Sequence, residues 1–189
     1  HHSYPDEISK VLGETFVLYV LMANSIKLKH KLSIQVHGYK DLKLIASDYI
    51  IPKKPETISL IRGYAKFNRE LNFYSKKFKD LLGNGYFATI LDQGDGNLPY
   101  KGISSLNENS LTNSAEEFFK NSEQLDTKFN VLIKKTLNKK EKVIFKGIGI
   151  MLQILPQDKK SNDTNNDKYK IMQKNGDVWF QHLWLFRPI

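Results

Sequence analysis

The sequence predicts an α+β domain built mostly from antiparallel strands, with helices packed on one side. One segment near the N-terminus repeats apolar residues every three to four positions, which is typical of a helix. Most of the remaining chain alternates apolar and polar residues between turn-forming residues, which is typical of strands. The length of 189 residues, 40% hydrophobic and without cysteine, suits one domain whose core needs no disulfide.

The first helix is predicted over residues 5–25. Pro5 is tolerated in a first helical turn, and the apolar residues behind it follow at helical spacing: Ile8, Val11, Leu12, Thr15, Phe16, Tyr19, Val20 and Ala23. The longest apolar run, residues 16–23, is shorter than the roughly 20 residues that a membrane helix needs. We therefore expect a soluble, cytoplasmic protein with no membrane partner.

Residues 31–48 are predicted to form an antiparallel hairpin, because alternating segments lie on both sides of a turn at residues 37–41. A further strand is predicted over residues 57–67. It is followed by a lysine-rich loop with one helical turn that ends at Gly83.

The strongest hairpin signal joins strands 86–91 and 100–103 through the turn residues 92–97. A helix is predicted near residues 111–124, with two candidate N-caps, Ser110 and Asn113. Its polar face is expected to be solvated and contains Glu116, Glu117 and Lys120.

Residues 129–133 and 143–145 are predicted to be strands around a turn at residues 137–141, and an apolar segment follows at 147–155. Two glycines in that last segment indicate either a close backbone approach or a bulge: Gly147 and Gly149. Polar residues then predominate up to Asp167, and an aromatic segment closes the chain.

The net charge of +9 comes from 29 basic residues, of which only three are arginines. Scattered lysines lack the planar guanidinium that reads bases and phosphates, so sequence-specific nucleic-acid binding is not expected. One alternative of a different class stays open, a basic RNA- or ribosome-binding domain that would use Lys134, Lys135, Lys139, Lys140 and Lys142.

Residue patterns for common catalytic and metal sites are missing. The chain has no cysteine, and its histidines lack the spacing of a zinc site: His1, His2, His30, His37 and His182. Phosphate-loop and serine-elbow motifs are also missing. We expect no catalytic residue, metal or cofactor in this chain, unless a pocket gathers Asp92, His37 and Arg62.

Several stretches carry a resemblance when they are taken in order: residues 4–14, 32–38, 62–65 (RGYA), 82–86 (LGNGY), 100–103 (YKGI), 118–125 (FFKNSEQL) and 147–156. Together they resemble the N-terminal domain of the bacterial redox-regulated holdase chaperones, the family of heat-shock protein thirty-three. The resemblance covers nearly the whole chain. It departs at Asp126, where the family pattern has a proline.

The resemblance implies a layered sheet–sheet–helix domain that pairs as a homodimer, and a stress-response chaperone that holds unfolding proteins without ATP. In the family, oxidation of a C-terminal module with four cysteines and zinc activates the chaperone. That module is absent from these residues, and the resemblance implies a short β segment before residue 1, so we expect a fragment or a partly ordered chain.

The resemblance also divides the chain into a core domain (1–156), a mobile polar linker (157–170) and the start of the switch linker (171–189). Aromatic residues in the last segment are the candidates for client binding, although they could instead pack onto the core or contact a partner chain: Trp179, Phe180, Trp184 and Phe186. The motif residues are expected to be scaffold: Arg62, Gly63, Gly83, Gly85, Gly102, Ser122, Glu123 and Gln124. Gly83 and Gly85 are expected to need positive φ, and residues 122–124 to satisfy backbone groups where a helix ends.

Overall fold

A computed structural model describes residues 4–26, 28–52, 59–69, 77–94, 96, 98–107, 109–154, 179–180 and 184–186, the last two ranges by backbone only. The helices are α1 (Asp6–Ser25), α2 (Phe78–Leu82) and α3 (Leu111–Phe118), which continues as a π-helical segment (Phe119–Glu123). The strands are β1 (Lys31–Gly38), β2 (Leu42–Ile50), β3 (Leu60–Phe67), β4 (Gly85–Asp92), β5 (Tyr100–Ser105), β6 (Thr127–Leu137), β7 (Val143–Gln153), β8 (Trp179–Phe180) and β9 (Trp184–Phe186).

Five antiparallel strands form the first sheet, sheet A, in the order β3-β2-β1-β4-β5. The hairpins predicted over residues 31–48 and 86–103 are confirmed as β1–β2 and β4–β5. Alternation along β1 sends Leu32, Ile34 and Val36 to one buried face, which explains why the period-2 pattern identified this strand.

The second sheet, sheet B, contains β6, β7 and the short C-terminal strands β8 and β9, which both pair with β7. The segments predicted separately at 143–145 and 147–155 form one continuous strand, whose register with β6 is unbroken from Val143 to Gln153. The glycines therefore mark a close approach and not a bulge. A Cβ at Gly149 would lie 2.3 Å from a methyl group of Val17, and one at Gly147 would lie 2.6 Å from the same side chain.

Helix α1 contacts strands of both sheets. Consecutive residues from Val17 to Ala23 are all buried, as expected for a helix covered on several sides. The α+β class with antiparallel sheets is confirmed, but the expectation that the helices pack on one side is not met by α1. Its Phe16 side chain fills the space beside Gly63 of sheet A, while Val17 fills the space beside the glycines of sheet B.

Tyr19 links α1 to sheet A through its hydroxyl group. The hydroxyl accepts a hydrogen bond from the Ile34 backbone N–H and lies within donating distance of the Ile34 and Ser47 carbonyl oxygens. Burial is the largest cause that raises the pKa of Tyr19, so the phenol stays protonated and can donate.

Tyr19→Phe is expected to lower the free energy of unfolding by about 1–3 kcal/mol, because it leaves buried backbone groups without this partner. Urea unfolding of both proteins measures the difference. Tyr39→Phe is the matched control, since Tyr39 is 69% exposed, and should change stability by less than about 0.5 kcal/mol. An unchanged unfolding midpoint for Tyr19→Phe would show that the hydroxyl contributes nothing.

The helix predicted near residues 111–124 is present, but its last turn is π-helical. Ser110 is the N-cap, and its hydroxyl accepts the Asn113 backbone N–H at 3.1 Å. The wider π turn changes the angular position of the residues that follow, and both Phe118 and Phe119 are buried although they are adjacent. The predicted linker (157–170) and most of the lysine-rich loop before residue 77 lie outside the described residues.

Candidate functional site

Sheet B presents apolar side chains on the face turned away from α1, which we call the outer face of sheet B. Residues paired across antiparallel strands share a face, and Leu132 of β6 pairs with Ile148 of β7. These side chains are 62% and 37% exposed, respectively. Contiguous exposed apolar patches are candidates for interaction surfaces.

The tip of the β6–β7 hairpin adds a second exposed apolar pair. Leu137 and Val143 pair with each other and are more than half exposed. Hydrogen bonds stabilise the turn between them, because the Asn138 side-chain oxygen accepts hydrogen bonds from the backbone N–H groups of Lys140 and Lys142. Glu141 has a positive φ of 57°, which is uncommon for a residue other than glycine.

Lysines surround this hairpin, and only some of them are paired. Lys128 binds Glu116 at 2.6 Å and Lys135 binds Asp6 at 2.5 Å. Neighbouring positions on a strand point to opposite faces, so Lys134 and Lys135 do not join in one stripe. The lysines proposed for RNA binding therefore lie on two faces and a turn and do not form one basic stripe.

The prediction that the polar face of α3 is solvated is wrong at Glu116. Its side chain is only 15% exposed and accepts the Phe129 backbone N–H at 3.0 Å as well as the Lys128 ammonium. Glu117 is also engaged, because it accepts a 2.7 Å hydrogen bond from the Asn107 side chain. These contacts join α3 to β6 and to the loop before α3, and no local sequence pattern signals them.

The four aromatic candidates lie on the short strands at the end of the described chain. In β8, Trp179 pairs with Gln153 of β7 and Phe180 pairs with Leu152 of β7. In β9, Trp184 pairs with Gly149 of β7 and Phe186 pairs with Gly147 of β7. The backbone of this segment thus lies beside β7 of the core. Client binding by these four residues stays a prediction.

Arg62 and Gly63 of the RGYA motif lie on β3. The Arg62 guanidinium binds Asp48 through Nη2 at 2.7 Å and Nε at 2.8 Å, and the Ser33 hydroxyl donates to the same carboxylate at 2.5 Å. Burial alone would raise the pKa of Asp48, but the hydrogen bonds from Ser33 and Arg62 and the nearby Lys31 charge outweigh it. The pKa of Asp48 is therefore below its ordinary value.

Asp48→Asn is expected to make the free energy of unfolding less sensitive to acidification. Because the pKa of Asp48 is lowered on folding, its stabilising contribution is present above the unfolded value of 3.8 and disappears as pH falls further. The difference in unfolding free energy between the two proteins should be constant above about pH 5 and shrink toward pH 2. Unfolding at a series of pH values measures it, and a difference that does not depend on pH would contradict the assignment.

Three motif glycines have distinct structural reasons. Gly83 has a φ of 62° at the C-terminus of α2, as the sequence predicts. Gly85 does not have a positive φ, so the reason given for it is wrong. A Cβ there would lie 1.8 Å from the His37 carbonyl oxygen, so a close approach is what requires glycine. Gly102 leaves space for the Phe118 ring, which a Cβ would meet at 2.4 Å.

Residues 122–124 end the π-helical segment. Gln124 is left-handed, with a φ of 56°, and its backbone N–H donates to the Phe119 carbonyl. Ser122 and Glu123 belong to the π turn itself. Asp126 departs from the family pattern, and its carbonyl oxygen accepts the Ile154 backbone N–H at 3.0 Å, so the connection to sheet B is intact.

The three residues named for an enzymatic pocket are not brought together. Asp92 of β4 lies opposite Lys31 of β1. His37 lies six residues further along β1 than Lys31, so it is roughly 20 Å from Asp92. Asp92 instead pairs with His30 at 3.0 Å, His37 stacks on Tyr86, and Arg62 belongs to the Asp48 cluster. Among the described residues, no group of three His, Asp or Glu side chains lies close enough together to hold a metal ion.

An apolar groove between α1 and sheet B was not foreseen from the sequence. It has a volume of about 290 Å³ and lies among Phe16, Ile133, Phe145 and Lys146. Its residues come from distant parts of the chain, so no local pattern could identify it. Among the described residues, no helix is long and apolar enough to cross a membrane.

The fold is an α+β domain of two antiparallel sheets, with aliphatic strand residues exposed on sheet B. The family model described as Hsp33 protein matches residues 1–182. The chain therefore belongs to the Hsp33 protein family.

Similar proteins agree with this assignment. The chain is 28% identical over 171 residues to a 33 kDa chaperonin of Caulobacter vibrioides, covering 87% of this chain and 54% of that protein. It is 35% identical over 130 residues to a 33 kDa chaperonin of Methylobacillus flagellatus, covering 68% and 41%. The chain thus spans about half the length of the curated relatives it matches.

A solved structure supports the fold. The 33 kDa chaperonin (heat shock protein 33 homolog) of Thermotoga maritima matches with a TM-score of 0.61 over 90% of this chain and 55% of that chain. The sequence identity is 17%, so this likeness concerns the fold alone.

Proposed function

We propose that this chain is the core of an ATP-independent holdase chaperone, which binds unfolding proteins and keeps them from aggregating. Family membership sets the class, and the observation that carries the proposal is the pair of exposed aliphatic residues Leu132 and Ile148 on the outer face of sheet B. An unfolding protein exposes apolar surface. Covering that surface with aliphatic side chains is favourable and requires no sequence readout.

The proposal includes no catalytic residue and no cofactor in this chain. Holding a client is an equilibrium in which apolar surfaces are removed from water, so no bond is made or broken. A cytoplasmic homodimer is part of the same proposal. Sedimentation of the chain at several concentrations tests the oligomeric state.

The test is light scattering from a client that aggregates on heating, in reducing buffer without ATP. The 189-residue chain should suppress scattering at near-stoichiometric amounts, and the suppression should persist at high salt, because burial of apolar surface depends weakly on ionic strength. Failure of a folded chain to suppress aggregation would contradict the proposal.

Paired variants test the surface. Leu132→Ser combined with Ile148→Ser removes both exposed aliphatic residues and should weaken suppression severalfold. Leu98→Ser is the matched control, because Leu98 is 95% exposed in the loop between β4 and β5 of sheet A. Equal suppression by the double variant and the control would place the client surface elsewhere.

A further inference from the structure

Among the described strands, β6 is an edge strand of sheet B, and the described residues cover its outer edge at one end only. The Phe129 backbone N–H points away from β7 and donates to Glu116 at 3.0 Å. In an antiparallel pair, alternate residues direct their N–H groups to the same side. The N–H groups of Val131, Ile133 and Lys135 therefore point outward, and no described strand pairs with them.

An open edge invites another strand, and lysine is one of the residues that discourage unselective pairing. Lys134 lies on this edge, and the hairpin adds further lysines that make no ion pair with described residues: Lys139, Lys140, Lys142 and Lys146. Glu141 is the single acidic residue between Lys128 and Lys146. The edge therefore repels a basic or lysine-guarded strand and attracts one with carboxylates.

We propose that the β6 edge binds an extended polypeptide segment of alternating acidic and apolar residues as an added strand. This inference rests on the proposed holdase function and specifies which clients it favours. The outward backbone groups of Val131, Ile133 and Lys135 supply main-chain hydrogen bonds, as in other cases where a peptide extends a sheet. Lys134, on the outer face, and the turn lysines attract the carboxylates, while Ile133 and Leu137, on the opposite face of β6, contact the apolar side chains.

The apolar component distinguishes a polypeptide from a nucleic acid at this edge. Leu132 and Leu137 are 62% and 60% exposed and lie among the lysines. Nucleic-acid surfaces combine phosphate binding with aromatic stacking and arginine contacts. The described hairpin from Thr127 to Gln153 has neither arginine nor an exposed aromatic side chain, so an acidic and apolar polypeptide matches it better.

Fluorescence anisotropy with two labelled seven-residue peptides tests the proposal, one alternating valine with glutamate and the other alternating valine with lysine. The acidic peptide should bind at least about tenfold more tightly than the basic one. Reversing the hairpin charge with Lys134→Glu and Lys142→Glu should abolish that preference. Lys66→Glu with Lys101→Glu on sheet A is the matched control and should leave the preference intact.

A second comparison tests the backbone hydrogen bonds. Lys135→Pro removes an outward N–H without removing a bond to β7, whereas Lys135→Ala removes the same side chain and keeps the N–H. Lys135→Pro should weaken binding of the acidic peptide at least about fivefold relative to Lys135→Ala. Circular dichroism checks that both variants fold. If the proline variant does not fold, the charge-reversal variant Lys134→Glu with Lys142→Glu tests the proposal instead.

The outcomes separate this inference from the proposed function. A chain that suppresses aggregation but binds both peptides equally, or does not distinguish Lys135→Pro from Lys135→Ala, overturns the inference and leaves the holdase proposal standing. Loss of aggregation suppression by the unaltered chain overturns the holdase proposal itself. A uridine oligonucleotide would assign the edge to polyanions instead if it bound tightly, displaced the acidic peptide, and bound equally well to the Lys135→Pro variant.

Discussion

Gly85→Ala is expected to lower the free energy of unfolding by about 3 kcal/mol, a large effect for a single methyl group. The added Cβ would lie 1.8 Å from the His37 carbonyl oxygen and 2.9 Å from its carbonyl carbon. Those atoms are backbone at the end of the paired strands β1 and β4, so they cannot move aside without breaking the ladder. Chemical denaturation of the purified variant measures the loss.

Gly13→Ala is the matched control for that experiment. Its Cβ would meet Ile133 at 3.4 Å, an ordinary contact with a side chain. Alanine favours the interior of a helix over glycine by about 1 kcal/mol, so this variant should be as stable as the parent or more stable. The same change of one hydrogen to a methyl group should thus have opposite signs at the two positions. Similar losses at both positions would show that the close backbone approach at Gly85 does not set the cost of its substitution.

Phe119→Ala is expected to cost about 3–5 kcal/mol, the range for removing a buried aromatic ring. Phe119 is 1% exposed, and its ring centre lies 5.9 Å from that of Phe118 and 5.5 Å from that of Phe129. The ring therefore links α3 to β6, and its loss leaves a cavity between them. Thermal and urea unfolding measure the cost.

The exposed Leu98 provides a control for the second experiment. Leu98→Ala should change stability by less than about 0.5 kcal/mol, because the side chain is 95% exposed. A loss below about 1 kcal/mol for Phe119→Ala would mean that the aromatic contacts relax into the cavity and that the α3–β6 junction is more adaptable than its packing indicates.

Local patterns predicted most of the elements, because each buries one face. The helical spacing in residues 5–25 and the alternation in residues 31–48 both arise from side chains that face the core. The π turn after Phe118 was not predictable, since the two adjacent rings at its start pack against residues distant in sequence, Phe87 and Phe129. The same holds for the placement of α1, because a pattern shows which residues are buried and not which sheet covers them.

The candidate site was predicted less completely than the fold. The motif containing Arg62 was singled out, but its partner Asp48 lies on another strand and could not be paired with it from spacing alone. Gly85 was identified correctly with the wrong reason, because local sequence shows a glycine but not the carbonyl that approaches it. The exposure of Leu132 depends on which face of sheet B meets α1, which only the assembled sheets define.

The position of α1 between the sheets has a consequence for cooperativity. Each sheet covers part of the same helix, so melting either sheet would expose apolar surface of the helix that stabilises the other. The two halves of the domain should therefore unfold in a single transition, with coincident midpoints for probes placed in β1 and in β7. The helix makes one cooperative unit out of two sheets that share no strand.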